Sequence, residues 1–520
     1  MLYDGTVRVD RERFEQCTAS AAGLDALRGG SVVALMADNG IDWLVSAAAV
    51  GRNGAVLLPL PAFFTDAQCL HAIEATGATL LLTDDPRRGS RLGFSRGGSL
   101  PGTRLDAMQR TVPEACAGMR AAMPAGTGLV TFTSGTTGAP RGVCLGLDAL
   151  DRVSRGVATV ASRLGIERHL CLLPLAVLLE QVAGAGAAVL AGATTVALPL
   201  AEVGLAGSSG FDPVRALAAI RKHDVHSVIL LPQMLQALVD AVAAGACAPA
   251  SLRLAAVGGG RVPPALIERA RSLGIPACEG YGLTECGSVV ALALPQDAPD
   301  AGMRLLPHAR ARIVAPAVRV ERATAGAPVV ATAVANAVAP AVVDAGACDA
   351  AGEILVEGPA FLGYLGAAPQ VPHAPVRTGD LGSINAHGRL RVTGRLKHLL
   401  ITGFGRNVSP EWPESELLAR APIRQAAVFG EGRPWLSAVL VVQAGATEAA
   451  IASAVAEANA RLPDYARIGG WVVANAAFTQ ADGLLTANGR LRRDAILARH
   501  ASAIDAIHEC PPMEMVDALP

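Results

Sequence analysis

Short apolar runs alternating with helix-length segments constrain this chain more than any other feature of its sequence. Residues 31–37 (SVVALMA), 55–60 (AVLLPL) and 78–83 (ATLLLT) each have the length of a buried strand. Asn39-Gly40 and a helix-like stretch around residues 43–50 separate the first two, and Asp84-Asp85-Pro86 closes the third. The pattern returns at 227–231 (SVILL) before a helix at 233–243, and at 252–257 (LRLAAV) before Gly258-Gly259-Gly260. Strands apolar on both faces and spaced by helices indicate parallel sheets covered by helices, because neither face can be left in water. The expected fold class is α/β. At 520 residues the chain is long enough for more than one domain. Strands are expected at 352–357, 389–392 and 398–402, then at 426–429 and 437–442 with a helix near 447–461. The natural division is an N-terminal domain over 1–394 and a small C-terminal domain over 395–520.

The bulk properties exclude several function classes. A formal net charge of −1 with 17% charged residues offers no electrostatic footprint for a phosphate backbone, and 3% aromatics leave little for base stacking. No nucleic-acid partner is expected. The ten cysteines form no CxxC pair and no regular spacing, which reads as reduced, buried thiols in a cytoplasmic protein. Asp4, Arg8, Asp10, Arg11 and Arg13 leave no apolar run at the N-terminus, so no signal peptide is expected. Residues 176–198 are apolar enough to suggest a membrane span, but Glu180, Gln181 and several glycines interrupt them. A buried helix followed by a buried strand explains the same residues, and no span is expected. Residues 313–348 are dominated by Ala, Val and Pro without clear periodicity, and read as a low-complexity surface insertion.

The strongest chemical signal is at 129–143, LVTFTSGTTGAPRGV. An apolar strand runs into Thr133, Ser134, Gly135, Thr136, Thr137 and Gly138, with Arg141 following. Glycines let a backbone approach phosphates closely, successive N–H groups form an anion nest, and the hydroxyls and Arg141 add donors and charge. No Gly-Lys-Ser/Thr follows, so this is not a Walker A loop. An ordinary Gly/Ser/Thr turn is the bland alternative, and the density of hydroxyls and glycines argues against it.

TSGTTGAPRG resembles the phosphate-binding loop of the adenylate-forming (AMP-binding) superfamily, in which Lys usually stands where Arg141 does. Four further segments carry the same resemblance in the same order: YGLTE at 281–285, RTGD at 377–380, GRLK at 394–397 followed by ITGFGRNVSPE at 401–411, and LTANGRLRR at 485–493. The resemblance implies a large N-terminal domain of packed α/β layers and a small, mobile C-terminal α+β domain. It implies ATP and Mg²⁺, with activation of a carboxylic acid as its acyl-adenylate. Transfer to a phosphopantetheine thiol follows, on CoA or on an acyl carrier protein.

The resemblance also assigns roles that the side chains suit. Glu285 is a hard oxygen ligand for Mg²⁺, and Thr284 beside it can donate to the α-phosphate. Tyr281 would stack on adenine, with Gly282 next to it and Gly258, Gly259 and Gly260 giving the base close access. Asp380 has acceptors for the ribose hydroxyls, and Arg395 would hold ribose or phosphate. Lys397 occupies the hinge on which the C-terminal domain rotates. Gly403, Phe404 and Gly405 would then line the tunnel for the pantetheine thiol. Surface turns and capping groups are the bland readings of these glycines and of Asp380.

Two positions depart from the family pattern. Arg490 stands where the family carries a catalytic lysine; it keeps the charge but not the compact geometry, so slower adenylation is expected. LPLAVLLE at 173–180 resembles the LPLAHxxE segment of long-chain acyl-CoA synthetases, with Val177 in place of the His. No aspartate for an ammonium group is apparent there, and Glu180 reads as structural, so an acid without an α-amino group is expected. The similarity to long-chain synthetases tilts the expected substrate towards a fatty or otherwise hydrophobic acid. The rival reading, motivated by Arg490 and Val177, is a nucleotide- or acyl-binding homologue with impaired catalysis.

Overall fold

The computed structural model describes residues 1–111, 121–133, 140–207, 210–314, 352–371, 374–403, 406–486 and 489–509. Two large sheets carry most of the chain. The first has eight strands in the order Gly363–Tyr364, Arg141–Leu145, Leu129–Thr133, Val56–Pro59, Val32–Met36, Leu80–Thr83, Asp106–Gln109 and Ser95–Ser99. The three apolar runs read from the sequence pair in parallel with one another at its centre. Val33, Leu35 and Leu57 from this sheet share one buried core with Val290, Leu292 and Leu390 from the second. Helices Ile41–Arg52 and Leu147–Arg163 contribute to the same core. Burial on both sides is what makes those strands apolar on both faces.

The second sheet has thirteen strands and changes character halfway. Leu2–Tyr3, Thr194–Val196, Arg168–Leu170, Ser227–Leu230, Leu254–Val257 and Ala277–Leu283 pair in parallel, as the alternation with helices led us to expect for 227–231 and 252–257, and Arg8–Val9 pairs antiparallel with Leu2–Tyr3 at the edge. From Ala277–Leu283 onward the pairing is antiparallel, through Ser288–Leu292, Met303–Leu305, Arg389–Arg395, Val376–Ile384, Gly352–Glu357 and Arg310–Val314. Only a short 3-10 turn, Thr284–Cys286, separates the first two of these. A parallel return needs a crossover of a dozen or more residues, so this link forces a hairpin.

Two residues assigned to the expected insertion at 313–348 belong to a strand instead. Ile313 and Val314 belong to strand Arg310–Val314, which pairs with Gly352–Glu357 in the register Val314↔Glu353. Residues 315–351 lie outside the described residues. The segment suspected of spanning a membrane is a π-helical stretch, Leu179–Gly186, continued by a short α-helix and the strand Thr194–Val196. Among the described residues no helix is long and apolar enough to cross a membrane. The described cysteines, Cys171 and Cys278 among them, are free thiols.

The C-terminal part packs a separate three-stranded sheet, Ile423–Phe429, Leu436–Val442 and Ile468–Val473, between helices. Helices Glu411–Leu418 and Glu448–Asn459 share one core with its strands, and Arg493–Glu509 shares another. Residues 398–402 are less regular than their sequence suggested. His398 ends a 3-10 turn, and only Leu400–Ile401 is strand, paired with Asn407–Val408.

Candidate active site

The strand Ala277–Leu283, where the large sheet switches from parallel to antiparallel, ends at the candidate site. Tyr281 and Gly282 sit at a register shift in its pairing with Ser288–Leu292. A Cβ on Gly282 would lie 1.8 Å from the Ser288 carbonyl oxygen, so only glycine lets the two strands close there. The chain then turns through Thr284 and Glu285. The Glu285 backbone carbonyl accepts the Phe361 N–H at 2.8 Å, and the Tyr364 hydroxyl donates to its carboxylate at 2.9 Å. The Arg141 guanidinium lies 5.6 Å from the centre of the Tyr364 ring. Burial and the Glu285 charge together push the Tyr364 hydroxyl well above its ordinary range, which keeps it a donor.

Asp380 is held by a second framework. Thr378 donates to the Ile354 carbonyl at 2.7 Å, Gly379 N–H reaches the Glu353 carboxylate at 3.3 Å, and Arg377 pairs with the same carboxylate. These contacts fix the RTGD turn on strand Gly352–Glu357. The Asp380 carboxylate, 3% exposed, takes the Tyr281 hydroxyl at 2.8 Å and the Arg395 guanidinium at 2.7 Å. Burial raises the Asp380 pKa, with Arg395 and Tyr281 pulling the other way. Tyr281, Asp380 and Arg395, far apart in sequence, thus form one hydrogen-bonded row.

Tyr281, Glu285, Tyr364 and Arg395 border a cavity of about 1130 Å³, and Asp380 is not in its wall. Thr133, Gly258, Gly259, Tyr281, Gly282 and Thr284 line it. So do the cationic Arg141, Arg395, Lys397 and Arg490, and among the described residues Glu285 is the one carboxylate in its wall. Burial and the Arg395 and Arg490 charges lower the Lys397 pKa. Arg490 donates to the Gly259 carbonyl at 3.3 Å from a hairpin in which Thr486 caps the Arg490 N–H at 3.1 Å. Protein crowds its guanidinium, whose pKa falls through burial and the neighbouring Arg395, while its surface stays open to the cavity.

Other expected residues fall elsewhere. Gly260 borders Pro232 and is not in the cavity wall. Gly403 is exposed in the turn after Leu400–Ile401, its N–H bonded to the Arg433 carbonyl at 2.7 Å. Ser134, Gly135, Thr136, Thr137 and Gly138 lie outside the described residues, as do Phe404 and Gly405.

Beyond these polar and charged groups the cavity becomes apolar. Strands Ser227–Leu230 and Leu254–Val257 form one wall through Ile229, Leu254 and Ala256, and the π-helical stretch faces them through Leu179 and Ala183. Val177 lines it too, where the LPLAHxxE pattern has His. Glu180 does not: fully buried, it accepts the Leu173 N–H at 2.9 Å and bonds His169 at 2.7 Å.

Sequence reading missed three residues that shape the site: Tyr364, His169 and Ser227. Tyr364 carried a weak signal, since a chain with four tyrosines places few of them at random. His169 and Ser227 carried a better one, because each is a polar residue in or beside an apolar strand and needs a partner when buried.

The AMP-binding enzyme family matches residues 11–365, and the AMP-binding enzyme C-terminal domain matches residues 397–510. The chain belongs to the AMP-binding enzyme family. A Mycobacterium tuberculosis protein named as a 7a-methyl-1,5-dioxo-octahydro-indenyl propanoyl:CoA ligase is 28% identical over 429 residues, 76% of this chain and 75% of that one. A feruloyl-CoA synthase from Amycolatopsis is 28% identical over 448 residues, covering 83% and 82%. The O-succinylbenzoate coenzyme A synthetase of Bacillus subtilis, solved with ATP and magnesium ion, superposes with a TM-score of 0.68 at 22% identity. That match covers 95% of each chain and establishes the shared fold of a large N-terminal and a C-terminal domain.

Proposed function

We propose that this protein is an AMP-forming acid–CoA ligase acting on a ring-bearing, largely apolar carboxylic acid. One observation carries the reading: a single cavity joins Tyr281 and Arg395, both bonded to Asp380, with the Glu285 carboxylate, Arg490 and an apolar extension. ATP suits the polar end, with Tyr281 offered to the base, Asp380 and Arg395 to the ribose, and Thr284 and Arg141 to the phosphates. The acid's tail suits the apolar end. Magnesium fits the donor set, because Glu285 is, among the described residues, the one carboxylate in a wall whose cations balance a polyphosphate. Bound there, Mg²⁺ would neutralise charge on the phosphates.

In the first step the acid's carboxylate oxygen bonds to the α-phosphorus as the bond to the β-phosphate bridging oxygen breaks, releasing pyrophosphate. Charge builds on the α-phosphoryl oxygens, where Thr284 and Arg490 are placed to meet it. In the second step a thiol sulfur attacks the acyl carbonyl carbon. AMP leaves with the bonding electron pair and the thiol proton is released. We assign CoA as the thiol, since the relatives are named as CoA ligases and synthases; nothing among them supports a carrier protein. Their named acids carry rings, which favours a ring-bearing acid over the fatty acid suggested by the LPLA segment. The two-domain division near residue 395, with rotation about Lys397, belongs to the same proposal.

The test is acid-dependent exchange of labelled pyrophosphate into ATP across aryl, alicyclic and fatty acids. Exchange with ring-bearing acids, abolished in Glu285→Ala, supports the reading. Intact ATP binding with no exchange on any acid would favour the catalytically impaired homologue.

A further inference from the structure

The apolar end of the cavity holds one polar group of side chains that activation of a carboxylate does not use. His169 and Ser227 sit opposite each other on adjacent parallel strands, and both line the cavity. The His169 Nδ1 lies 3.0 Å from the Ser227 hydroxyl, and its Nε2 lies 2.7 Å from the Glu180 carboxylate. Glu180 is anchored in turn by the Leu173 N–H at 2.9 Å. All three are buried, at 4%, 6% and 0% exposed. The backbone makes room for them. A Cβ on Gly184, one turn along the π-helical stretch, would lie 2.0 Å from the Glu180 carboxylate and 2.7 Å from the His169 ring. Single π-helical turns are frequent at functional sites.

A hydrocarbon tail gains nothing from such a row, whose burial costs stability unless every member is satisfied. Glu180 accepts from both Leu173 and His169, and both His169 nitrogens are engaged. Ser227 is different. A hydroxyl has one proton and two lone pairs, and His169 is its one side-chain partner among the described residues. Its remaining capacity is available to the cavity. Cys171 lies close enough to His169 and Glu180 for the three to suggest a metal site. Burial, with the Glu180 charge, raises the Cys171 thiol pKa well above its ordinary value.

The strands set the depth of the row. Ser227 precedes Leu231 by four residues on one sheet face, as Leu254 precedes Gly258, which puts it roughly 13 Å from the glycine turn. We propose that Ser227, oriented by His169 and Glu180, recognises an oxygen substituent, a ring hydroxyl or carbonyl, at the far end of the acid. Ser227 is then a specificity-determining residue. The inference rests on the acid-activating reading above and adds to it a requirement on the tail.

The experiment compares cinnamic, 4-methylcinnamic, 4-hydroxycinnamic and 4-acetylcinnamic acids in pyrophosphate exchange, with wild type, Ser227→Ala and the near-isosteric Ser227→Cys. Wild type should favour at least one of the two oxygenated acids by about 10-fold in kcat/KM, the worth of one well-made buried hydrogen bond. Both variants should lose that preference while handling cinnamic acid within about 2-fold of wild type. The hydroxyl and acetyl arms show whether Ser227 accepts or donates. Equal use of all four acids by wild type, or equal loss on all four in the variants, overturns the proposal. If no acid supports exchange, calorimetric binding of the matching acyl-sulfamoyl adenosines decides the same question apart from catalysis. A preference for oxygenated tails that vanishes in Ser227→Cys would uphold the inference while the activation reading fails; no preference would end both.

Discussion

The Arg490 guanidinium donates to the Gly259 carbonyl oxygen at 3.3 Å, tying a hairpin near the C-terminal end of the chain to the glycine turn after strand Leu254–Val257. A second contact, Arg424 to Asp240 at 2.5 Å, joins the same two parts of the chain. Arg490 therefore enters the cavity from outside the large sheet. Its removal takes a cation from the place where the transferring phosphoryl group would sit. Arg490→Ala should lower pyrophosphate exchange by about 100-fold, the usual effect of losing one donor to a developing charge. ATP affinity, held by other residues, should change far less. Arg490→Lys restores the compact ammonium and should exchange faster than wild type; a lysine variant no faster than wild type would remove the argument from geometry.

Asp380 serves two partners at once, and its neutral isostere serves neither well. Asp380→Asn removes the charge that pairs Arg395 and weakens the acceptor for Tyr281. The ATP KM should rise by 10-fold or more, because an unpaired guanidinium in a crowded wall costs several times a neutral hydrogen bond (about 3–5 kcal/mol against about 1). Tyr281→Phe keeps the ring and removes one hydrogen bond, so its ATP KM should rise only about 5-fold. ATP titration at saturating acid measures both.

Much of this is legible in the amino-acid sequence alone, for definite reasons. The alternation of apolar runs with helices gave the parallel half of the large sheet, because strands buried on both faces leave that mark. The residues at 281–285, 377–380 and 395 carry their context in short contiguous motifs, and the fold brings them together. The strands at 352–357 and 389–392 were legible too, but their antiparallel pairing was not, because it depends on a turn of a few residues after Leu283. Nor were the pairings of Tyr364, His169 and Ser227: Tyr364 acts through Glu285 on a distant turn, and His169 and Ser227 meet through register across strands, a property of the assembled sheet. The acid's identity was obscure for the same reason. Ile229, Ala183 and Leu254 line the apolar end of the cavity from separate elements, with no contiguous signature.

Stability at low pH should depend on a cluster beside the proposed hinge. Burial alone would lift the Glu411 pKa, but the hydrogen bond from His398, the Arg493 charge and Ser409 outweigh it and hold it at about 2. A carboxylate held below its ordinary value of 4.5 stabilises the fold fully above that value, and the contribution fades as pH falls towards 2. The amount at stake is on the order of 3 kcal/mol. Urea midpoints followed by tryptophan fluorescence should therefore fall steeply between pH 4.5 and 2. Trp412, Trp435 and Trp471 report on this part of the chain. In Glu411→Gln the same curve should be flatter in that window and start lower at neutral pH.

Gly282 offers a test of how tightly the site depends on its supporting strand. Its missing Cβ would meet not a side chain but the Ser288 carbonyl oxygen, at 1.8 Å, with the carbonyl carbon at 2.7 Å. Backbone cannot rotate away, so Gly282→Ala must spread the two strands or shift their register. Overpacking of this kind costs about 1–3 kcal/mol, which a chain of this size can survive folded. Thr284 and Glu285 follow directly, and any spreading carries them out of line with Tyr364 and the cavity. Gly282→Ala should thus remain folded, with a lowered melting temperature, and lose exchange activity by far more than its unfolded fraction explains. Gly40→Ala, whose Cβ would meet nothing within 4 Å, serves as the control and should match wild type. If Gly282→Ala instead kept full exchange at a lower melting temperature, the strand end would be structural support alone, and the placement of Thr284 and Glu285 would not be set by the bulge.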